Sequence, residues 1–370
     1  MKKQILLYGW LLLGLFLFNA CKDEENLSPA ERTLYQNQCG YFILHEGTFG
    51  RQNAEVYFKT YATCQGKNQT EQLLDNLFNR NNGKNLVSEF SNLQSAFIHD
   101  KKMYLMAGQN VEIVGVDTYK KTATVEQVEN ARYGVVSGDK LYVSDWGNYD
   151  ANFQTPNNAI LVFNIKNNFS FIKKISLQAD FRPEMLVAVG NKIFVATPGN
   201  PFGVVQKNIQ VIDATKDERV ASIAIADEPL AMLLDNQNQL WVLCGTNTIA
   251  RVNPQTNKVE EKIDAILSYI ITSKATWDSK KENIYFITDS GWLGGYKTAV
   301  YSFNTKMKSF QKITEGKNFY GIGFDAKNNL LLVTDHQGFS GKGKVHVFSL
   351  SGQNQNKSFE VGFVPNGFIF

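Results

Sequence analysis

A short apolar phrase recurs along this chain, and its last residue carries the first chemistry worth weighing. The copies are FILHE (42–46), YLMAG (104–108), LYVSD (141–145), IFVAT (193–197), LWVLC (240–244), YFITD (285–289) and LLVTD (331–335). They end on Glu46, Gly108, Asp145, Thr197, Cys244, Asp289 and Asp335, so four of the seven ends are carboxylates. If the phrases are equivalent strands of a ring, these four carboxylates would point toward one axis. Calcium is the cation that such an oxygen set would suit. Aspartate at a strand end also caps the turn that follows through its own backbone, and both readings stand. No motif calls for any other cofactor.

Aromatic and polar residues form a second set, concentrated in long loops: Phe49, Trp146, Tyr149, Phe153, Phe202, Trp292, Tyr296 and Phe339, with Arg51, Asn148, Asn200 and His336 among them. Such rings would cover a large planar ligand or stack on sugars, and the polar groups would orient it. They would also serve to pack loops against one another. Catalytic signatures are missing. His45, His99, His336 and His346 lack metal-ligand spacing such as HExxH, and there is no GxSxG nucleophile elbow. Gly291 to Gly295 and Gly338 to Gly343 lack the Lys-Ser/Thr ending of a phosphate loop.

The elements that must hold these residues follow from the repeat. Phrase ends are separated by 62, 37, 52, 47, 45 and 46 residues, the length of one four-stranded propeller blade. Polar turns precede the phrases, as at Ser137-Gly138-Asp139-Lys140 and Gly190-Asn191-Lys192, making each phrase the second strand of a hairpin. A third strand follows, as at Ile160 to Asn164 or Ile209 to Asp213, and then a fourth, as at Lys258 to Ile263. FVPNGFIF (363–370) reads as an innermost strand with nothing behind it, while the first phrase lacks an inner strand ahead of it. The expected fold is an all-β, seven-bladed β-propeller of four-stranded antiparallel blades. Its C-terminal strand would close the N-terminal blade and remove two open sheet edges. Gln69 to Phe78 fits either the outer strand of blade one or a short helix. The long loops after second strands then share one face with the inter-blade connections, where function tends to sit.

Composition agrees with one large globular domain. The 370 residues are 43% hydrophobic and 20% charged, which excludes a disordered or multispan membrane chain. At the N-terminus, Lys2 and Lys3 precede an apolar run from Ile5 to Phe18 and then Asn19-Ala20-Cys21, the layout of an export signal. That run is shorter than the roughly 20 residues of a membrane span. Removing Lys2 and Lys3 from the 38 Lys and Arg leaves 36, against 35 Asp and Glu. No clustered positive charge points to a nucleic-acid partner. Residues 1–20 are thus read as signal peptide, 21–38 as a tether that begins at Cys21, and 39–370 as the propeller. Export permits disulfides, and Cys39 and Cys64 flank two strands that an antiparallel hairpin would bring to one end. Cys244, within an apolar phrase, reads as a buried small hydrophobe.

Two resemblances sharpen these expectations. Residues 18–21 resemble a bacterial lipobox, with Phe18 and Asn19 departing from its usual residues, and Lys22-Asp23-Glu24-Glu25 resembles the acidic tag of surface-displayed lipoproteins. LYVSD and LLVTD, with the strands Val211-Ile212-Asp213 and Val162-Phe163-Asn164, resemble the YVTN type of β-propeller repeat. Gly40 to Asn53 (GYFILHEGTFGRQN) is similar to the first blade of propeller lipoproteins that include surface vitamin B12-binding partners of TonB-dependent cobalamin transporters. That likeness implies lipidation at Cys21, an outer-membrane location facing the exterior and membrane contact through the lipid alone. It also implies capture of a nutrient, a cobalamin or related corrinoid, for an outer-membrane transporter. Ligand contacts would come from Phe49, Arg51, Trp146, Asn148, Tyr149, Phe202, Trp292, Tyr296, His336 and Phe339. The alternatives are a calcium-dependent lactonase or hydrolase built on Glu46, Asp145, Asp289 and Asp335, and a glycan-binding or protein-interaction propeller.

Overall fold

A computed structural model describes residues 29–37, 39–200 and 203–370. Residues 1–28, on which the expected signal peptide, Cys21 and the first part of the expected tether fall, lie outside the described residues, as does Phe202. Seven four-stranded antiparallel sheets follow one another along the chain, giving the seven-bladed propeller. Six blades are built from consecutive strands, and blade one takes its innermost strand, Pro365–Ile369, from the far end of the chain. The other inner strands are Ser95–His99, Ala131–Ser137, Leu186–Val189, Pro229–Leu234, Ile270–Trp277 and Phe319–Asp325.

Each repeated phrase is a second strand, packed between neighbouring blades on both faces. That is why it is apolar without interruption: Leu141 to Asp145 and Ile284 to Thr288 are buried throughout. Outer strands have one wet face and alternate instead, as in Lys258–Asp264 (KVEEKID). The core is therefore a ring of inter-blade clusters, such as Phe194, Val211, Leu240 and Val252 between blades four and five.

Blade one departs from the pattern. Its outer strand is only Leu73–Leu74, followed by a helix, Leu77–Asn82, so the segment 69–78 supplies the strand and begins the helix. The helix start has no cap of its own, because Asn76 is left-handed and makes no side-chain cap bond. Buried Glu55 fills that role from the neighbouring strand, accepting from the backbone N–H of Phe78 (2.8 Å) and Asn79 (3.0 Å). Cys39 and Cys64 are joined as a disulfide, with Cα atoms 5.1 Å apart. Cys244 is fully buried, and burial pushes its thiol up to about 12.

Closure at blade one rests on buried His45. Its Nδ1 donates to the Glu55 carbonyl (3.3 Å), and its Nε2 accepts from the Gly362 N–H of blade seven (3.0 Å). A carbonyl can only accept and an amide N–H can only donate, so the ring is neutral with its proton on Nδ1. Burial lowers its pKa from 6.5 to about 3. The unfolded chain takes up this proton near 6.5 and the native chain does not, so His45 stabilises fully above that pH and loses its contribution as pH falls. The expected loss is about 1.4 kcal/mol per pH unit below about 6.5. Glu55, which burial raises to about 7, acts in the opposite sense, so the effect is isolated by difference. Urea unfolding of wild type and His45→Gln from pH 7.5 to 5 should show the wild-type advantage constant above pH 7 and shrinking below 6.5. A pH-independent gap would refute the assignment.

The second-to-third strand loops and the inter-blade connections share one face, and the short hairpin turns share the other. The N-terminal helix Pro29–Gln36 lies on the short-turn side. Buried Tyr35 packs edge-on against Phe58 (4.6 Å), and Gln36 bonds to Asp117 (3.4 Å) in a short turn of blade two.

Candidate functional site

On the loop-rich face, the inner strands open onto a central cavity of about 230 Å³, lined among others by Gln94, Arg132, Tyr133, Trp146, Glu184 and Lys274. The inner strands reach it through irregular pairing. In blades three, five, six and seven the register against the second strand slips near its start, after Ala131, Pro229, Ile271 and Phe319. The residues set free are Arg132 and Tyr133, Leu230, Thr272 to Lys274, and Tyr320 with Gly321. All but Gly321 line the cavity, because a bulge re-aims side chains that regular pairing would send between blades. The penultimate residue of the repeated phrase serves these bulges: Ser144 accepts from the Tyr133 N–H (2.9 Å) and Thr334 from the Gly321 N–H (2.7 Å).

The cavity is charged. Arg132 donates twice to Glu184 Oε1 (3.1 and 2.9 Å), and its guanidinium lies 3.9 Å from the Trp146 ring. Burial nonetheless holds the Glu184 carboxyl above its ordinary range, with Arg132 opposing. Glu46 accepts from Tyr320 Oη (2.7 Å) and Gln94 Nε2 (3.2 Å). Burial first, and the adjacent carboxylates second, raise the Tyr133 and Tyr320 phenols, which stay neutral donors. Lys274 stands apart, its ammonium 5.3 Å from the Tyr320 ring and joined to no described residue by an ion pair or hydrogen bond. Burial lowers its pKa, and Glu46 and Glu184 oppose that shift.

A groove of about 420 Å³ adjoins this cavity and shares Gln94 and Arg132 with it. It runs over blades one to three past Phe49, Phe90, Asn148 and Tyr149. Phe49 and Phe90 are 69% and 67% exposed yet lie 5.7 Å apart, a ready apolar wall.

The residues singled out from sequence thus divide. Trp146 lines the cavity, and Phe49, Asn148 and Tyr149 line the groove. Tyr296, His336 and Phe339 pack on each other, with His336 and Phe339 stacked 3.7 Å apart and Tyr296 5.6 Å from His336. This cluster backs the cavity-lining Tyr320, whose ring is 5.5 Å from Phe339. Arg51 is exposed in a turn outside both spaces, and Phe153 is an exposed loop tip. Trp292 begins a short 3-10 turn of blade six. Arg132, Glu184, Lys274, Tyr133 and Tyr320 escaped the sequence reading, although a charged residue near the start of an apolar inner strand is a visible signal.

The four carboxylates do not gather at one point. Asp145 accepts from the N–H groups of Gly147 (2.7 Å), Glu129 and Asn130 (both 2.8 Å). Asp289 accepts from Gly291 N–H (2.7 Å), and Asp335 from Gln337 N–H (2.8 Å). All three aspartates thus accept from the backbone N–H two residues on, Asp145 also from the connection ahead of its blade. Asp289 borders the cavity, and Glu46 joins the central cluster through Tyr320 and Gln94. Among the described residues no group of three or more His, Cys, Asp or Glu stands close enough to hold a metal.

Comparison with known proteins supports the architecture. No curated protein matches the chain. Among solved structures, hydrazine synthase of Kuenenia stuttgartiensis is similar with a TM-score of 0.53 and 18% identity, covering 68% of this chain and 74% of that one. The computationally designed Ika8 protein is similar with a TM-score of 0.55 and 10% identity, over 89% and 90% of the two chains. At such identities the likeness is one of fold alone. A family model spans the whole propeller, residues 39–370, and by that match the chain belongs to the family described as "Domain of unknown function (DUF5074)".

Proposed function

We propose that this chain is a binding protein that captures a nutrient at the mouth of its loop-rich face while an acylated Cys21 holds it at the outer surface of the outer membrane. The carrying observation is the charged cavity on the propeller axis, continuous through Gln94 and Arg132 with an aromatic-walled groove. Binding sites join an apolar wall to a few directional polar groups in this way. The anchor geometry is compatible. The N-terminal helix sits on the short-turn face, and the eight residues from Cys21 to Pro29 reach at most about 28 Å. The short-turn face is then held near the lipid, and the mouth looks outward.

The resemblance of the opening blade points to a cobalamin or related corrinoid, passed to a TonB-dependent transporter. At about 230 Å³ the cavity is below the range of sites that enclose a whole cofactor, roughly 300–1,000 Å³. A corrinoid would lie across the groove with one side group in the cavity. Exposed Phe49, Phe90, Tyr149, Phe153, Val204 and Leu293 on the same face suit a large apolar ligand and a transporter surface. Calorimetric titration of the chain from Lys22 onward with a cobalamin is the test. One-to-one binding is expected, weakened about 30-fold in Trp146→Ala, as for a buried aromatic anchor worth about 2 kcal/mol. No heat and no change in corrinoid absorbance would reject the corrinoid.

A further inference from the structure

Lys274 poses a problem that the protein itself leaves unsolved. It is a partly buried ammonium with three donors, it lines a cavity, and no described residue accepts from it. Elsewhere in the cluster Arg132 is engaged with Glu184, and Glu46 with Tyr320 and Gln94. The Lys274 Nζ is not sealed from solvent, so an occupant that displaces water from it must bring a hydrogen-bond acceptor in its place.

The sign of the surroundings decides which acceptor. Glu184, Glu228 and Asp289 line the cavity with Arg132 and Lys274, and Glu46 lies directly behind Tyr320 and Gln94. Two cations thus face three carboxylates in the cavity, with a fourth behind its wall. Burial already raises the Glu184, Glu228 and Asp289 carboxyls, so a further negative charge would be opposed both by desolvation and by like charge. A cation would meet Lys274 and Arg132. The group that satisfies the ammonium without adding charge is neutral and carries both an acceptor and donors.

We propose that the axial cavity is a subsite for a primary carboxamide, its oxygen accepting from Lys274 and its N–H groups donating to the surrounding carboxylates. This deepens the binding reading above and names the side group that the cavity takes. The planar amide is small enough for the space and needs no change of protonation to enter.

Nicotinamide and nicotinate form a suitable probe pair, since they share a ring and differ in charge. Ligand-detected NMR titrations of the intact protein should show nicotinamide binding in the millimolar range. Nicotinate should bind at least about tenfold more weakly, the scale of losing one hydrogen bond to a charged group. Lys274→Met should remove nicotinamide binding, and Lys274→Arg, which keeps the charge and the donors, should retain part of it. Near-ultraviolet circular dichroism checks that each variant is folded, and the wild-type comparison of the two probes needs no variant. Nicotinate binding as well as nicotinamide would overturn the proposal in favour of an anion site. Binding of glucose in competition with nicotinamide, with the same dependence on Lys274, would overturn it in favour of sugar hydroxyls. Absence of nicotinamide binding at millimolar concentration would end it outright. Nicotinamide binding in a protein that ignores cobalamin would uphold the subsite and sink only the corrinoid reading.

Discussion

Arg132→Met is expected to destabilise the protein by about 3–5 kcal/mol, the cost of leaving a buried charge without its partner. Arg132 and Glu184 have side-chain exposures of only 16% and 10%, so solvent cannot take over. The variant keeps most of the hydrocarbon bulk above Trp146 and discards the charge, which separates the electrostatic loss from a packing defect. The double variant Arg132→Met/Glu184→Gln, which removes both charges, should recover more than half of the loss. The sign with pH is fixed as well. An unpaired Glu184 has a native pKa raised above its unfolded value near 4.5, so the native state binds the extra proton and stability rises as pH falls toward that value. The gap between wild type and the single variant should therefore narrow from pH 7 to 5 in urea unfolding. A loss under about 1 kcal/mol, or a gap that widens in acid, would show that this ion pair does not hold the mouth together.

The pairing also explains which parts of the molecule could be read in one dimension. Second strands are squeezed between blades on both faces, so each appears as an unbroken apolar phrase, and seven phrases mark seven blades. The complementary ends, an inner strand at 363–370 and a first phrase without one, made closure legible. Blade one was harder. Between its third strand, Glu55–Thr60, and its helix lie the small hairpin Thr63–Cys64/Lys67–Asn68 and a two-residue outer strand. These are too short for any hydrophobic period to develop.

The site was legible as a face and not as a set of contacts. Long loops rich in Gly and aromatics marked the face onto which the axial cavity opens, because only one end of each blade had residues to spare. What spacing could not supply was direction. His336 turns its Nδ1 to the Phe339 N–H (3.1 Å) and stacks on that ring, a local arrangement made by a three-residue 3-10 turn. Arg132 and Lys274, in contrast, gain their direction from bulges. Where two or three residues oppose one, the alternation that assigns a strand's faces breaks down, and side chains that periodicity places between blades emerge at the axis. For the strand-end carboxylates spacing left two readings open, convergence on the axis and capping of the following turn, and Asp145, Asp289 and Asp335 each accept from the N–H two residues on.

Ending the chain at Phe363 should have the largest effect of all, loss of cooperative folding. Pro365–Ile369 lies innermost in blade one and pairs Phe42 with Ile369, Ile43 with Phe368 and Leu44 with Gly367. It also joins three blades through polar contacts. Thr334 of blade seven donates to the Pro365 carbonyl (2.6 Å), and Asn366 Nδ2 donates to the Leu93 and Gln94 carbonyls (2.9 and 3.2 Å) at the entry to blade two. Removing it strips partners from the buried edge of Gly40–His45, and each orphaned backbone group costs about 1–3 kcal/mol. Several such groups, together with the lost burial of Phe368 and Ile369, rival the whole net stability of a domain, about 5–15 kcal/mol. The opened ring would expose the unpaired edge of Gly40–His45 and aggregate. A peptide of residues 364–370 added in trans should restore a cooperative transition, because the gap it fills is a single strand with a preset register. Should the truncated chain instead melt cooperatively within a few degrees of the intact protein, the ring would be held by its inter-blade clusters alone, and closure by this strand would be incidental to stability.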